Sequence, residues 1–238
     1  MRLVVEKLCK NFEKQEVLKG ASFSFEKGKI YGLLGRNGAG KTTFFNCINE
    51  DIEIDGGSFQ LEDEGSTRTV TSHDIGYVLS TPVVPEFLTA REFLKFFVDI
   101  NKDKITAMKS LDEYFEMVKI QEKDRDKLLK DYSHGMKNKM QMLVNFIANP
   151  TILLLDEPLT SFDVVVADEM KTLLKELKKD HIIIFSTHIM ELALDLCDEI
   201  VILNQGILEE VDQANMNVEG FKDKIIEILK GEEYVSNI

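Results

Sequence analysis

The chain has 238 residues, 44% of them hydrophobic and 30% charged, with a formal net charge of −13. That length and mix suit one globular unit with a full core rather than a disordered chain, and so acidic a surface repels the phosphate backbone of nucleic acids. The apolar runs ILLL (152–155) and IIIF (182–185) stop at four residues, against the roughly 20 that cross a bilayer. The opening MRLVVEKLCK carries charges where a secretory signal would be apolar. Cys9, Cys47 and Cys197 are odd in number and far apart, which suits reduced core thiols in a cytosolic protein better than a disulfide frame or a metal site.

Short apolar strands alternate with helical patterns, which predicts an α/β fold with a largely parallel sheet. KIYGLLG (29–35) reads as a strand running into a glycine-rich loop, and TTFFNCIN as the buried helix after it. GRNGAGKT (35–42) fits G-x-x-x-x-G-K-[ST] in the strand–loop–helix context that gives this motif its meaning. Gly35, Gly38 and Gly40 let the loop curl, so that N–H groups of Arg36, Asn37, Ala39 and their neighbours face phosphate oxygens beside a helix N-terminus. Lys41 then reaches the β- and γ-phosphates, the Thr42 hydroxyl ligates Mg²⁺, and Thr43 completes the cradle.

Pro82 and Pro85 mark a loop, and no proline follows until Pro150, so the stretch 86–149 reads as helical. Thr89 and Glu92 form a capping box. Phe93, Phe96, Phe97 and Ile100 follow at i, i+3, i+4, i+7, and Leu111, Tyr114, Phe115 and Val118 repeat that spacing. In YSHGM (132–136), Ser133 fits the N-cap of a helix striped by Met140, Leu143, Val144 and Ile147. Gly135 permits close backbone approach, so this is a second helix start suited to an anion. TILLLDE, bracketed by Pro150 and Pro158, is a buried strand. Its carboxyl end presents Asp156 for the water shell of Mg²⁺ and Glu157 as general base toward an attacking water. GTPases and small-molecule kinases share the glycine loop, but no N-K-x-D occurs to read guanine; NKDK (101–104) has lysine where the carboxylate belongs.

Ser133 and Gly135, about 20 residues before TILLLDEP, resemble the signature motif of the ABC (ATP-binding cassette) ATPases, and the likeness extends over nearly the whole chain. It implies a P-loop NTPase core with an antiparallel β-subdomain and an inserted α-helical subdomain. The expected division is core and β-subdomain at 1–80 and 136–215, helical subdomain at 81–135 and C-terminal tail at 216–238. The segment 8–35 resembles the family's opening hairpin, with Phe12 where an aromatic ring stacks on adenine. TSFD (160–163) is similar to the D-loop, with Asp163 its carboxylate. IIIFSTHIME makes His188 the γ-phosphate contact, and LDLCDEIVILNQGIL resembles the strand pair that follows. His181 and His73, at the starts of strands, read as structural.

The family packs two copies head to tail, so that Ser133 and Gly135 of one face the ATP on Lys41 of the other. YSHGMKNKM and the short tail look most like the detached ATPase subunits of bacterial drug and peptide exporters. That likeness implies a second ABC ATPase subunit and a separate integral membrane permease as partners, no nucleic acid, and a place at the cytoplasmic face of the membrane. Segment 86–132, rich in phenylalanine, would supply the docking groove. The rivals are a soluble, non-transport ABC ATPase and a weakly hydrolysing regulatory module; Glu157 and His188 speak against the second and GYVLSTP (76–82) speaks for it. There Ser80, or Thr81 if the register slips by one, stands where the family usually carries glutamine. A serine is shorter and acts at best through a bridging water, so low basal hydrolysis and little effect of Ser80→Ala are expected.

Overall fold

In the computed structural model, residues 1–13, 15–103, 105, 108–160, 162–211 and 225 are described. The tail expected at 216–238 lies outside them apart from Ile225, as does Ser161 of TSFD. An antiparallel sheet is ordered β2-β1-β4-β5, from β1 (Arg2–Phe12), β2 (Gln15–Glu26), β4 (Gly56–Asp63) and β5 (Ser66–Thr69). A second sheet is ordered β10-β9-β3-β8-β7-β6, from β3 (Ile30–Leu34), β6 (Ile75–Val78), β7 (Ile152–Asp156), β8 (Ile182–Thr187), β9 (Glu199–Asn204) and β10 (Ile207–Val211). Its strands run parallel except β10, which closes the edge antiparallel to β9.

Alternation along these strands feeds two cores. Leu153, Leu155, Ile183, Phe185, Ile200 and Ile202 pack on one face of the parallel sheet. Their neighbours Ile152, Leu154, Ile182, Ile184, Val201 and Leu203 pack on the other, with Phe44 and Phe45 of α1 (Lys41–Ile48) and with Leu3, Leu8 and Phe25 of the antiparallel sheet. Both faces are covered, which is why the strands read as continuous apolar runs rather than alternating ones. The two sheets also meet where Lys19 N donates to Gly206 O at 2.8 Å.

Between β6 and α5 (His134–Ala148) lie α2 (Ala90–Asn101), α3 (Leu111–Met117) and α4 (Glu122–Arg125); α6 (Val164–Leu177) and α7 (Met190–Leu196) follow β7 and β8. Thr89 caps α2 with Glu92 in a complete capping box. The buried stripe of α2 is not the one its phenylalanines suggest. Ala90, Leu94 and Val98 are buried, Phe93 and Phe97 pack partly against the core, and Phe96 and Ile100 are exposed. In α3 the spacing matches the packing, with Tyr114, Phe115 and Val118 buried and Leu111 partly so. His181 is buried with Nδ1 2.5 Å from Pro150 O, a structural tie between β8 and the residue ahead of β7.

Candidate functional site

Because β3, β6, β7 and β8 run parallel, their carboxyl ends share one edge of the sheet, and ligands of open α/β sheets bind outside such an edge. The glycine loop leaves β3 there and enters α1 through Gly40, whose φ of 102° is left-handed. A Cβ at Gly40 would also stand 2.9 Å from Val17 Cγ1, so space and dihedral both require glycine. Lys41, the first residue of α1, is buried, and its Nζ donates to Gly35 O at 2.8 Å and Arg36 O at 3.2 Å. Burial pushes its pKa down, opposed by the carboxylates of Glu157 and Asp156.

Asp156 ends β7 and is itself buried. Thr42 Oγ1 donates to its Oδ2 at 2.8 Å, and Ser186 Oγ donates to its Oδ1 at 2.5 Å. The same Ser186 hydroxyl accepts the Glu157 N–H at 3.1 Å. Glu157 has a φ of 48°, a left-handed conformation that costs a non-glycine residue on the order of 1–3 kcal/mol and collects at functional sites. Its Oε1 lies 3.8 Å from Lys41 Nζ and 3.0 Å from His188 Nδ1. His188 directly follows β8.

Lys41, Thr42, Asp156 and Glu157 line a cavity of about 340 Å³ together with Phe12, Val17, Asn37, Gly38, Gly40, Thr43 and Ser80, while Ser186 and His188 touch it only through Asp156 and Glu157. Phe12 is exposed at the end of β1, with Lys10 Nζ 5.4 Å from its ring centroid. A larger hollow of about 1000 Å³ shares Asn37 and Gly38 and takes in Arg36, Ala39 and the 203–206 turn. It contains neither Lys41 nor the Thr42–Asp156 pair, so the smaller cavity is the candidate site.

Four expected residues lie beside the cavity without lining it: Arg36 and Ala39 line the larger hollow, Gly35 accepts from Lys41, and His188 meets Glu157. Three more stand elsewhere. Ser133 caps α5, its Oγ accepting the Met136 N–H at 3.2 Å, and Gly135 lies in the first turn of that helix. Asp163 caps α6, its Oδ1 accepting from Val165 N and Val166 N, both at 3.0 Å. None of the three lines the cavity. Sequence reasoning missed Ser186 and Val17. The one available signal was the hydroxyl pair Ser186–Thr187 closing an otherwise apolar strand.

Thr42 and Asp156 together offer two hard oxygens beside a phosphate-type loop, and among the described residues no group of three or more His, Cys, Asp or Glu side chains forms a cage. Mg²⁺ is held in this way, through few protein oxygens with phosphate and water completing its shell. The residues present fit that ion.

Residues 18–160 match the family model described as ABC transporter. A Bacillus subtilis protein named uncharacterized ABC transporter ATP-binding protein YxlF is 30% identical over 99% of this chain and 82% of its own length. The linearmycin resistance ATP-binding protein LnrL of the same species is 31% identical over 86% of this chain and 67% of its own. Among solved structures, an ATP-binding subunit of an ABC transporter superposes with a TM-score of 0.80 at 24% identity, covering 96% of this chain and 99% of that one. A dimeric post-hydrolysis ATP-binding cassette bound to ADP and Pi superposes at 0.73 and 20% identity, covering 87% and 97%.

Proposed function

This chain belongs to the ABC transporter family of ATP-binding proteins and is an ATPase, and we propose that it is the ATP-hydrolysing subunit of an exporter, working through separate membrane subunits. The observation that carries the site assignment is the meeting of Lys41, the Thr42–Asp156 pair and Glu157 at one cavity, with His188 held against Glu157.

The glycine loop and Lys41 would hold the β- and γ-phosphates, with the adenine stacked on Phe12. Thr42 and Asp156 would hold Mg²⁺, which when bound supplies counter-charge to the phosphate oxygens. Glu157 would accept a proton from water as that water's oxygen bonds to the γ-phosphorus. The bond from the γ-phosphorus to the β–γ bridging oxygen breaks, its electron pair leaves with ADP, and phosphate is the second product. Glu157 is suited to this by its left-handed backbone and by its bond to His188, and His188 would contact the γ-phosphate. Ser133, Gly135 and Asp163, all outside the cavity, would complete it from a second subunit.

Export is supported by the likeness to a relative named for linearmycin resistance. No helix among the described residues is long and apolar enough to cross a membrane; in this reading the pathway belongs to a separate integral permease, and this subunit sits at its cytoplasmic face. The docking surface on this chain would include Phe87, 80% exposed, and Val83, 72% exposed, rather than Phe93 and Phe97, which pack on the core.

Nucleotide binding and steady-state hydrolysis test the site. Glu157→Gln is expected to bind Mg-ATP as wild type does while kcat falls by at least about 10²-fold, the usual worth of a general base. Lys41→Ala is expected to lose nucleotide affinity. Wild-type hydrolysis by Glu157→Gln, or wild-type binding by Lys41→Ala, would remove the assignment.

A further inference from the structure

One face of α5 grips the segment that carries Ser80. Asn145 Nδ2 donates to Tyr77 O at 3.4 Å and to Gln141 O at 2.8 Å. Gly76 lies so close that a Cβ there would stand 2.8 Å from Asn145 Oδ1. One turn earlier on α5, Gln141 Oε1 accepts the Val83 N–H at 3.2 Å. A further turn earlier, Lys137 Nζ reaches Glu86 Oε1 at 2.5 Å. Residues 137, 141 and 145 are four apart, so their side chains form one stripe along the helix.

The middle contact decides where the loop sits. Pro82 has no N–H, so Val83 is the first residue beyond Thr81 able to donate from its backbone. Gln141, buried on α5, supplies the acceptor. Ser80 lies three residues before that anchor, and it lines the cavity together with Lys41, Thr42, Asp156 and Glu157. A loop pinned at its middle holds even a short side chain at the cavity wall.

We infer that Gln141 is a positioning residue for hydrolysis: by holding Val83 it keeps the Ser80 hydroxyl in the phosphate cavity, where that hydroxyl orients the water that Glu157 deprotonates. This rests on the assignment of the cavity to ATP, and it reverses the expectation that Ser80 contributes little. It also makes the Ser80 loop and the end of α5 that bears Ser133 parts of one clamped body.

A double-mutant cycle in steady-state hydrolysis tests the link. Ser80→Ala and Gln141→Met are each expected to lower kcat about tenfold, less than the ~10²-fold that a fully misplaced group can cost. The KM for Mg-ATP is expected to stay within about twofold, since the cradle is untouched. The double variant is expected to fall no further than either single one, because both remove the same contribution. Gln141→Glu, whose carboxylate still accepts the Val83 N–H, is expected to retain kcat. Hydrogen exchange in the 79–86 peptide is expected to quicken in Gln141→Met and not in Gln141→Glu.

Ser80→Ala at wild-type kcat, or losses that multiply in the double variant, would overturn the inference. A packing role alone would lower the melting temperature of Gln141→Met without coupling it to Ser80. If Gln141→Met does not fold, the cycle is run with Gln141→Ser, whose hydroxyl is too short to reach Val83. Glu157→Gln serves as the control: if it hydrolyses ATP at the wild-type rate, the cavity assignment has failed rather than the clamp.

Discussion

Asp74 ties the antiparallel sheet to the parallel one. Its two carboxylate oxygens accept from Arg68 Nη1 and Nη2 at 2.7 and 2.6 Å, and Oδ2 accepts also from Thr71 N and Thr71 Oγ1. Its carbonyl accepts the Ile152 N–H at the start of β7. The Arg68 hydrogen bonds, opposed by burial and reinforced by Thr71, hold the Asp74 carboxyl far below the usual carboxylate range. A folded pKa depressed in this way stabilises the fold above the unfolded value of about 3.9, and that stability is lost as pH falls further toward the folded pKa. Asp74→Asn is therefore expected to cost about 1–2 kcal/mol at pH 7, with Arg68 half exposed and its share screened. Urea titrations should show the gap between wild type and variant closing below about pH 4; a gap independent of pH would mean that the charge is not its source. Nothing in the string RTVTSHD announces this cluster, because Arg68 meets Asp74 only once β5 turns back. GRNGAGKT was legible for the opposite reason: a phosphate cradle is made from consecutive residues, so its chemistry fixes its spacing. Ser186 and Gln141 act on partners 30 and 58 residues away, and no local pattern carries such a pairing.

Helix α2 marks the limit of periodicity. Its start was readable because Thr89 and Glu92 satisfy each other within one turn. Its orientation was not, because apolar residues cover more than half of its circumference and spacing cannot say which part faces the core. The structure buries Ala90, Leu94 and Val98 and leaves Phe96 57% and Ile100 61% exposed. Leu94→Ala is expected to cost about 2–5 kcal/mol, the loss of a filled core site. Phe96→Ser and Ile100→Ser should each stay within about 0.5 kcal/mol of wild type, as surface changes do. Denaturant unfolding of the three variants separates the faces. A loss in Phe96→Ser equal to that in Leu94→Ala would mean that this side of α2 is covered in the folded chain.

At the scale of the whole molecule, the strand order β10-β9-β3-β8-β7-β6 sets the glycine loop after β3 beside Asp156 and Glu157 after β7, and the antiparallel sheet adds Phe12 from β1 at the same cavity. No reading of single elements yields that order, although the apolar strands themselves were plain. The same order leaves Ser133, Gly135 and Asp163 outside the cavity, so the proposed site is incomplete in one copy. Val164 and Val165, beside Asp163 at the start of α6, are 86% and 69% exposed, apolar surface of the kind that a second subunit covers. If two copies close over ATP, hydrolysis is what reopens them, and Glu157→Gln with Mg-ATP is expected to run as a dimer by light scattering while the nucleotide-free protein runs as a monomer. The Ser133 end of α5 is the place to block that closure. Ser133→Ala in the Glu157→Gln background removes the cap, at about 1 kcal/mol, and adds no bulk. Ser133→Arg loses the same cap and sets a long cationic side chain where the partner's ATP would lie. The alanine variant is expected to dimerise at higher protein concentration, and the arginine variant to remain monomeric at saturating Mg-ATP although each copy still binds nucleotide in its own cradle. A dimer that forms equally well with arginine at 133 would mean that the copies do not meet through this helix end, and the head-to-tail arrangement would have to be given up.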